Sequence, residues 1–180
     1  MSAGATTKPK ATSVGDKPRK ALDAVEMLMQ DHREVESLFR HFDSLRKTDK
    51  DAGTLLQRTC AELTIYAILE TEIFYPAVHE ATEVEEIKDL LDAGEDRLDA
   101  ISELAAAIVE MEAAQAKRDP KLKALSSQVL RHIAEEEAKL FPKVQKLKAL
   151  DVTKVTREMK ARKRELIAAA GVLEEDAEPA

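Results

Sequence analysis

The chain has 180 residues, the span of one domain, and 44% of them are hydrophobic, enough to bury a core without covalent staples. Only 5 are Gly and 3% are aromatic, while 35% are charged, a mixture weighted to helix-forming Ala, Leu, Glu and Lys. A net charge of -7 and a pI near 5.3 argue against general nucleic-acid binding, which needs cations to displace phosphate counterions.

Cys60 is the single cysteine, so the chain can form no internal disulfide and no thiolate zinc cluster. A reducing compartment fits. No run reaches the apolar length of a membrane span, and residues 1–20 hold no apolar signal-peptide segment, which leads us to expect a cytoplasmic protein.

Taken in chain order, residues 1–20 are rich in Lys, Pro, Gly, Ser and Thr and read as a disordered basic tail, a solubilising leader. From Ala21, Val25, Leu28, Met29, His32, Val35, Phe39 and Phe42 recur at steps of three and four, predicting a first helix to about Lys47. Turn residues TDKDAG come next. A second helix from about Thr54 carries Leu56, Cys60, Leu63, Ala67, Glu70, Phe74 and Ala77 on one stripe. A third, from about Val84 to Lys117, aligns Ile87, Leu91, Gly94, Leu98, Ile101, Ala105 and Ile108. Asp119-Pro120 supplies an acidic cap and an N-terminal proline for a fourth, with Leu122, Leu125, Val129, His132 and Glu136 in line. Pro76 and Pro142 fall late in the second and fourth helices, where they should kink or end them.

Short connections between four such helices predict an all-α fold, an up-and-down four-helix bundle over residues 21–150. Residues 151–171 form an additional, basic amphipathic C-terminal helix that places Val155, Met159 and Leu166 on the bundle, and residues 172–180 read as a disordered end. The basic face of that helix reads as a solvated surface.

Two stretches look like copies of one device: YAILETEIFYP, from Tyr66 to Pro76, and HIAEEEAKLFP, from His132 to Pro142. Each pairs a ring with a Glu four residues on, so Tyr66 with Glu70 and His132 with Glu136 point to one side of their helices. An ionised carboxylate on the core row costs several kcal/mol unless it is protonated, hydrogen-bonded, ion-paired or metal-bound. Together with His32, the two pairs converge on one depth of the bundle and describe a buried metal site. Residue by residue the alternatives stand open: His32 as a satisfied core histidine, Tyr66 as a core ring bonded to a carboxylate, and Arg97 or Arg131 as partners of the two acids. His41 and His79 lie nine residues from His32 and Glu70, half a turn out of phase, and read as surface residues.

VEMLMQDHREVESLFRHF, the Tyr66 to Pro76 stretch and RHIAEEEAKLFP together resemble the hemerythrin-like (HHE cation-binding) family, over about Ala21 to Leu166 and including the trailing MKARKREL. The resemblance implies a non-heme di-iron centre with one His from helix 1, an H-x-x-x-E pair from helix 2, a His from helix 3 and H-x-x-x-E from helix 4. Carried over, it implies metal ligation by His32, Glu70, His132 and Glu136. Two positions depart from the pattern: Tyr66 stands at the helix 2 His, and Leu98 falls where helix 3 should supply its own. A phenolate is a hard donor suited to a ferric ion, so Tyr66 is expected to remain a ligand. Gly94, one turn before Leu98, leaves room for the Tyr66 ring, for water or for a substitute ligand, Glu95 or Asp99. The resemblance thus implies iron, one or two ions, and a small-molecule partner such as O2, peroxide or NO. The contrasting expectation is a metal-free bundle serving as an interaction or regulatory module. Whether the protein is an enzyme, and its oligomeric state, are left open by the sequence.

Overall fold

A computed structural model of the chain describes residues 23–44, 52–109, 111 and 120–171. The expected basic tail, the C-terminal end, the TDKDAG turn except for its last two residues, and the Asp119 cap lie outside them. Helix α1 spans Ala24–Ser44, α2 spans Ala52–Leu69, α3 spans Tyr75–Glu80 and α4 spans Glu85–Val109. Helix α5 then spans Pro120–Glu135, α6 spans Phe141–Val144 and α7 spans Val152–Ala170. Among the described residues there is no strand.

The first turn of α1 is closed by a reciprocal box, in which the Glu26 amide donates to Asp23 and the Asp23 amide donates to Glu26, at 3.0 and 2.9 Å. Its apolar stripe then faces the bundle, with Leu28 fully buried and Val35, Phe39 and Phe42 beneath it. Antiparallel packing of α1, α2, α4 and α5 produces two apolar clusters, one holding Leu28, Leu69, Phe74, Leu98 and Phe141, the other Phe39, Leu56, Leu63, Ile101 and Leu125.

The prolines do not end their helices. Five-residue π-helical turns, Glu70–Phe74 and Glu136–Leu140, join α2 to α3 and α5 to α6. In each, the amide five residues on returns to the first carbonyl, from Tyr75 to Glu70 and from Phe141 to Glu136. A proline in a straight α-helix strikes the carbonyl four residues back. The wider π turn opens the spiral before Pro76 and Pro142, which then sit in the first turn of α3 and α6, where proline is tolerated.

The C-terminal helix packs as the sequence predicted, with Val155 and Met159 buried and Leu166 against the same cluster. Its basic face is not wholly solvated: Lys163 reaches Asp31 at 2.5 Å and Arg162 reaches Glu72 at 2.9 Å. No helix is long and apolar enough to cross a membrane.

Candidate metal centre

Between the two apolar clusters the bundle is polar. Helix α1 carries His32 inward, α2 carries Tyr66, and the π turn after it opens on Glu70; α5 carries His132 and its π turn opens on Glu136. All five are at most 3% exposed. The Tyr66 hydroxyl lies at their centre, 2.9 Å from His32 Nε2 and 2.7 Å from His132 Nε2, and donates to Glu136 Oε2 at 2.9 Å. His132 Nε2 is 3.1 Å from Glu70 Oε2, and His32 Nε2 is 3.2 Å from Glu136 Oε2. One donor atom each of His32, Glu70 and Glu136 lies within 4.8 Å of the others.

A sixth polar side chain reaches this cluster. The Tyr75 hydroxyl donates to Glu136 Oε1 at 2.8 Å. Tyr75 is nine residues from Tyr66, a spacing that turns a side chain half a turn away in an α-helix. The intervening π turn holds more residues per revolution and brings Tyr75 back onto the face of Glu70. Its equivalent in the second repeat, Phe141, has no hydroxyl and instead stacks on His32 with ring centroids 5.6 Å apart. The paired aromatic-proline endings were the only sequence signal that could have pointed to Tyr75.

The space beside Gly94 belongs to Tyr75, not Tyr66: a Cβ built on Gly94 would stand 2.5 Å from the Tyr75 hydroxyl. Glu95 and Asp99 are exposed and cannot replace a helix 3 ligand, because one residue of α-helix rotates a side chain well off the inward row of Gly94 and Leu98. Leu98 is 1% exposed and fills core. His41 and His79 are exposed, as their phase predicted. Neither Arg97 nor Arg131 answers the site carboxylates, since both pair with Glu135, at 2.8 and 3.4 Å.

Around the cluster, His32 Nδ1 is 2.9 Å from Glu137 Oε1, and Arg33 Nη1 donates to the same oxygen at 2.6 Å. Desolvation alone would raise Glu137, but the bonds from Arg33 and His32 hold it below the usual carboxylate range. Glu137, facing Nδ1, orients the His32 ring so that Nε2 points into the cluster, as an outer carboxylate does for a metal-ligating imidazole.

The buried acids differ. Burial and the adjacent Glu136 push Glu70 well above the ordinary range, which favours its protonated form. Burial acts on Glu136 in the same sense, but the His32 bond, the nearby imidazoles and the Tyr75 hydroxyl overcome it and hold Glu136 low. Burial drives His132 down to about 4, and lifts Tyr66 and Tyr75 far above a normal phenol, so the three are neutral.

The one hydrogen of the Tyr66 hydroxyl goes to Glu136 Oε2. Glu70 Oε1 and His132 Nδ1 are buried with no hydrogen-bond partner. Unpartnered buried polar atoms beside carboxylates, imidazole nitrogens and a phenol fit a hard or borderline cation.

The family model of the hemerythrin HHE cation binding domain matches residues 23–144, more than half of the chain. The chain therefore belongs to the hemerythrin HHE cation-binding family, and the buried His32, Glu70 and Glu136 group is its candidate cation site. No curated protein and no solved structure matches the chain. Helix α7 lies beyond the matched region.

Proposed function

We propose that this chain is a non-heme iron protein of the cytoplasm that binds iron, as one or two ions, through His32, Tyr66, Glu70, His132 and Glu136. We further propose that it processes or senses a small oxidant, O2, peroxide or NO. One observation carries the reading: carboxylates from two π turns and imidazoles from α1 and α5 converge on the Tyr66 hydroxyl with two buried polar atoms left unpartnered. Each buried polar atom left unpartnered costs about 1–3 kcal/mol, which binding of a cation at the cluster would help to offset.

Bound iron would supply Lewis acidity and a one-electron redox change to the small ligand. The chain's own groups set the conditions. His32 is oriented by Glu137, and Glu136 is ionised and fixed by hydroxyl donors. Burial and the neighbouring Glu136 raise the Glu70 carboxyl, so ligation by Glu70 would require loss of its proton. Leu69, Phe74 and Phe141 exclude water from this side of the cluster. With Tyr66 and Leu98 at positions where the family pattern has imidazoles, the donor set is richer in oxygen and favours ferric iron. Handling of peroxide or NO therefore suits it better than reversible O2 carriage.

The test is metal analysis of protein produced with iron, together with its absorption spectrum. Bound iron and a phenolate-to-iron band that Tyr66→Phe abolishes are expected; iron without that band would remove Tyr66 from the ligands. A second reading draws on Leu98, which completes an apolar wall where a ligand would stand: a metal-free interaction module. It predicts metal content near zero and a melting temperature indifferent to chelators.

A further inference from the structure

Glu136 is bound at both oxygens, and by different groups. Oε2 faces His32, Tyr66 and His132, whereas Oε1 points away from the imidazoles and accepts from Tyr75. The donor is buried, at 4% exposure, and its hydroxyl occupies volume that exists because residue 94 has no side chain. Tyr75 and Gly94 belong to different helices, α3 and α4, so the fit joins two elements at the carboxylate. Gly94 has no backbone need for glycine: it lies inside α4 and shows none of the positive φ found at Gly171. In a helix interior glycine costs about 1 kcal/mol relative to alanine, so its presence calls for a packing reason, and the Tyr75 hydroxyl is that reason.

We propose that Tyr75 is a positioning residue of the metal centre, holding Glu136 Oε1 through its hydroxyl so that Oε2 is presented to the cation, with Gly94 as the socket that admits it. The inference rests on the iron-binding reading above. Hydrogen-bonded partners of ligating carboxylates orient them and withdraw charge from them. Losing the Tyr75 donor frees Glu136 to rotate, which weakens capture of the ion, and leaves a more strongly donating carboxylate, which favours the ferric state over the ferrous.

The experiment compares wild type, Tyr75→Phe and Gly94→Ala. Ferrous ion is titrated anaerobically, the ferric/ferrous midpoint potential is measured, and each apo protein is melted. Tyr75→Phe keeps the ring and its packing; we expect a 10- to 100-fold loss of ferrous affinity, the range for a lost outer partner, and a lower midpoint potential. The Tyr66 band persists, which separates positioning from direct ligation by Tyr75. Gly94→Ala reaches the same hydroxyl from α4, because its Cβ must displace it, and is expected to reproduce both shifts. In a Tyr75→Phe background the alanine should add little, since the two changes remove one bond.

Affinity and potential unchanged in both variants would overturn the proposal while leaving iron binding intact. Loss of the phenolate band in Tyr75→Phe would overturn it by making Tyr75 the ligand. A wild type that takes up no ferrous ion would instead sink the iron-binding reading itself. Should Gly94→Ala fail to fold, Tyr75→Phe, which removes a single oxygen, still decides the matter.

Discussion

At the scale of single residues, the proton held by Glu70 fixes the sign of the pH dependence. Its carboxyl is raised in the metal-free fold by burial and by the neighbouring Glu136, so that fold favours the protonated form, whereas a ligating carboxylate has lost the proton. Metal uptake therefore releases that proton, and affinity rises with pH by about tenfold per unit for each proton released. Tyr66, also raised by burial, contributes a second proton if it binds as phenolate. Titrating ferrous ion in buffers of different ionisation enthalpy counts the protons. Tyr66→Phe should release about one fewer than wild type, and an equal count would show that the phenol keeps its hydrogen. The convergence of Tyr66 with Glu70 and of His132 with Glu136 was legible because a four-residue interval puts both members on one side of a helix, and that of His32 because it lies on the apolar stripe of α1. That of Tyr75 was not, because its interval of nine has the same effect only across a π turn.

At the scale of elements, the same π turns explain how two prolines expected to kink or end their helices are followed by a further helical turn. Each turn opens on a site carboxylate, so the irregularity that accommodates the proline also aims the Glu and resets the inward face of the helix beyond it. Helix periodicity cannot announce such a turn, since it assumes one rise and one twist throughout. The C-terminal helix, expected over residues 151–171, spans Val152–Ala170, with the outer two residues as its caps. Asp151 caps it, accepting from the Lys154 amide at 2.9 Å, and Gly171, at φ 62°, ends it in the left-handed region that glycine enters without strain. Loss of the cap in Asp151→Ala should cost about 0.5–2 kcal/mol. Met159, fully buried against the cluster that contains Leu28 and Tyr66, is the helix's main anchor, and Met159→Ala should cost about 2–5 kcal/mol by chemical denaturation. Arg162→Ala, which removes an exposed pair with Glu72, should leave the midpoint where it is. If Met159→Ala proved as mild as Arg162→Ala, α7 would be an appendage and not part of the core.

At the scale of the whole molecule, the polar cluster is a seam between two apolar clusters, and a cation there would tie α1, α2 and α5 together. Binding to the folded state alone stabilises it by about 2.7 kcal/mol when the free ion is at 100 times its dissociation constant. Cys60 offers a reporter distant in kind from the site. It is 4% exposed within the other apolar cluster, and burial lifts its thiol to about 11, so the folded chain presents neither access nor thiolate to an alkylating reagent. Labelling must then proceed through opening of the bundle, at a rate proportional to the open population. Anaerobic ferrous ion at 100 times its dissociation constant should slow Cys60 alkylation about 100-fold, and a chelator should restore the original rate. A metal-free module predicts one rate under both conditions. A bound ion that left the rate unchanged would have to sit where the folded and opened chains hold it equally, which the seam between the two clusters does not allow.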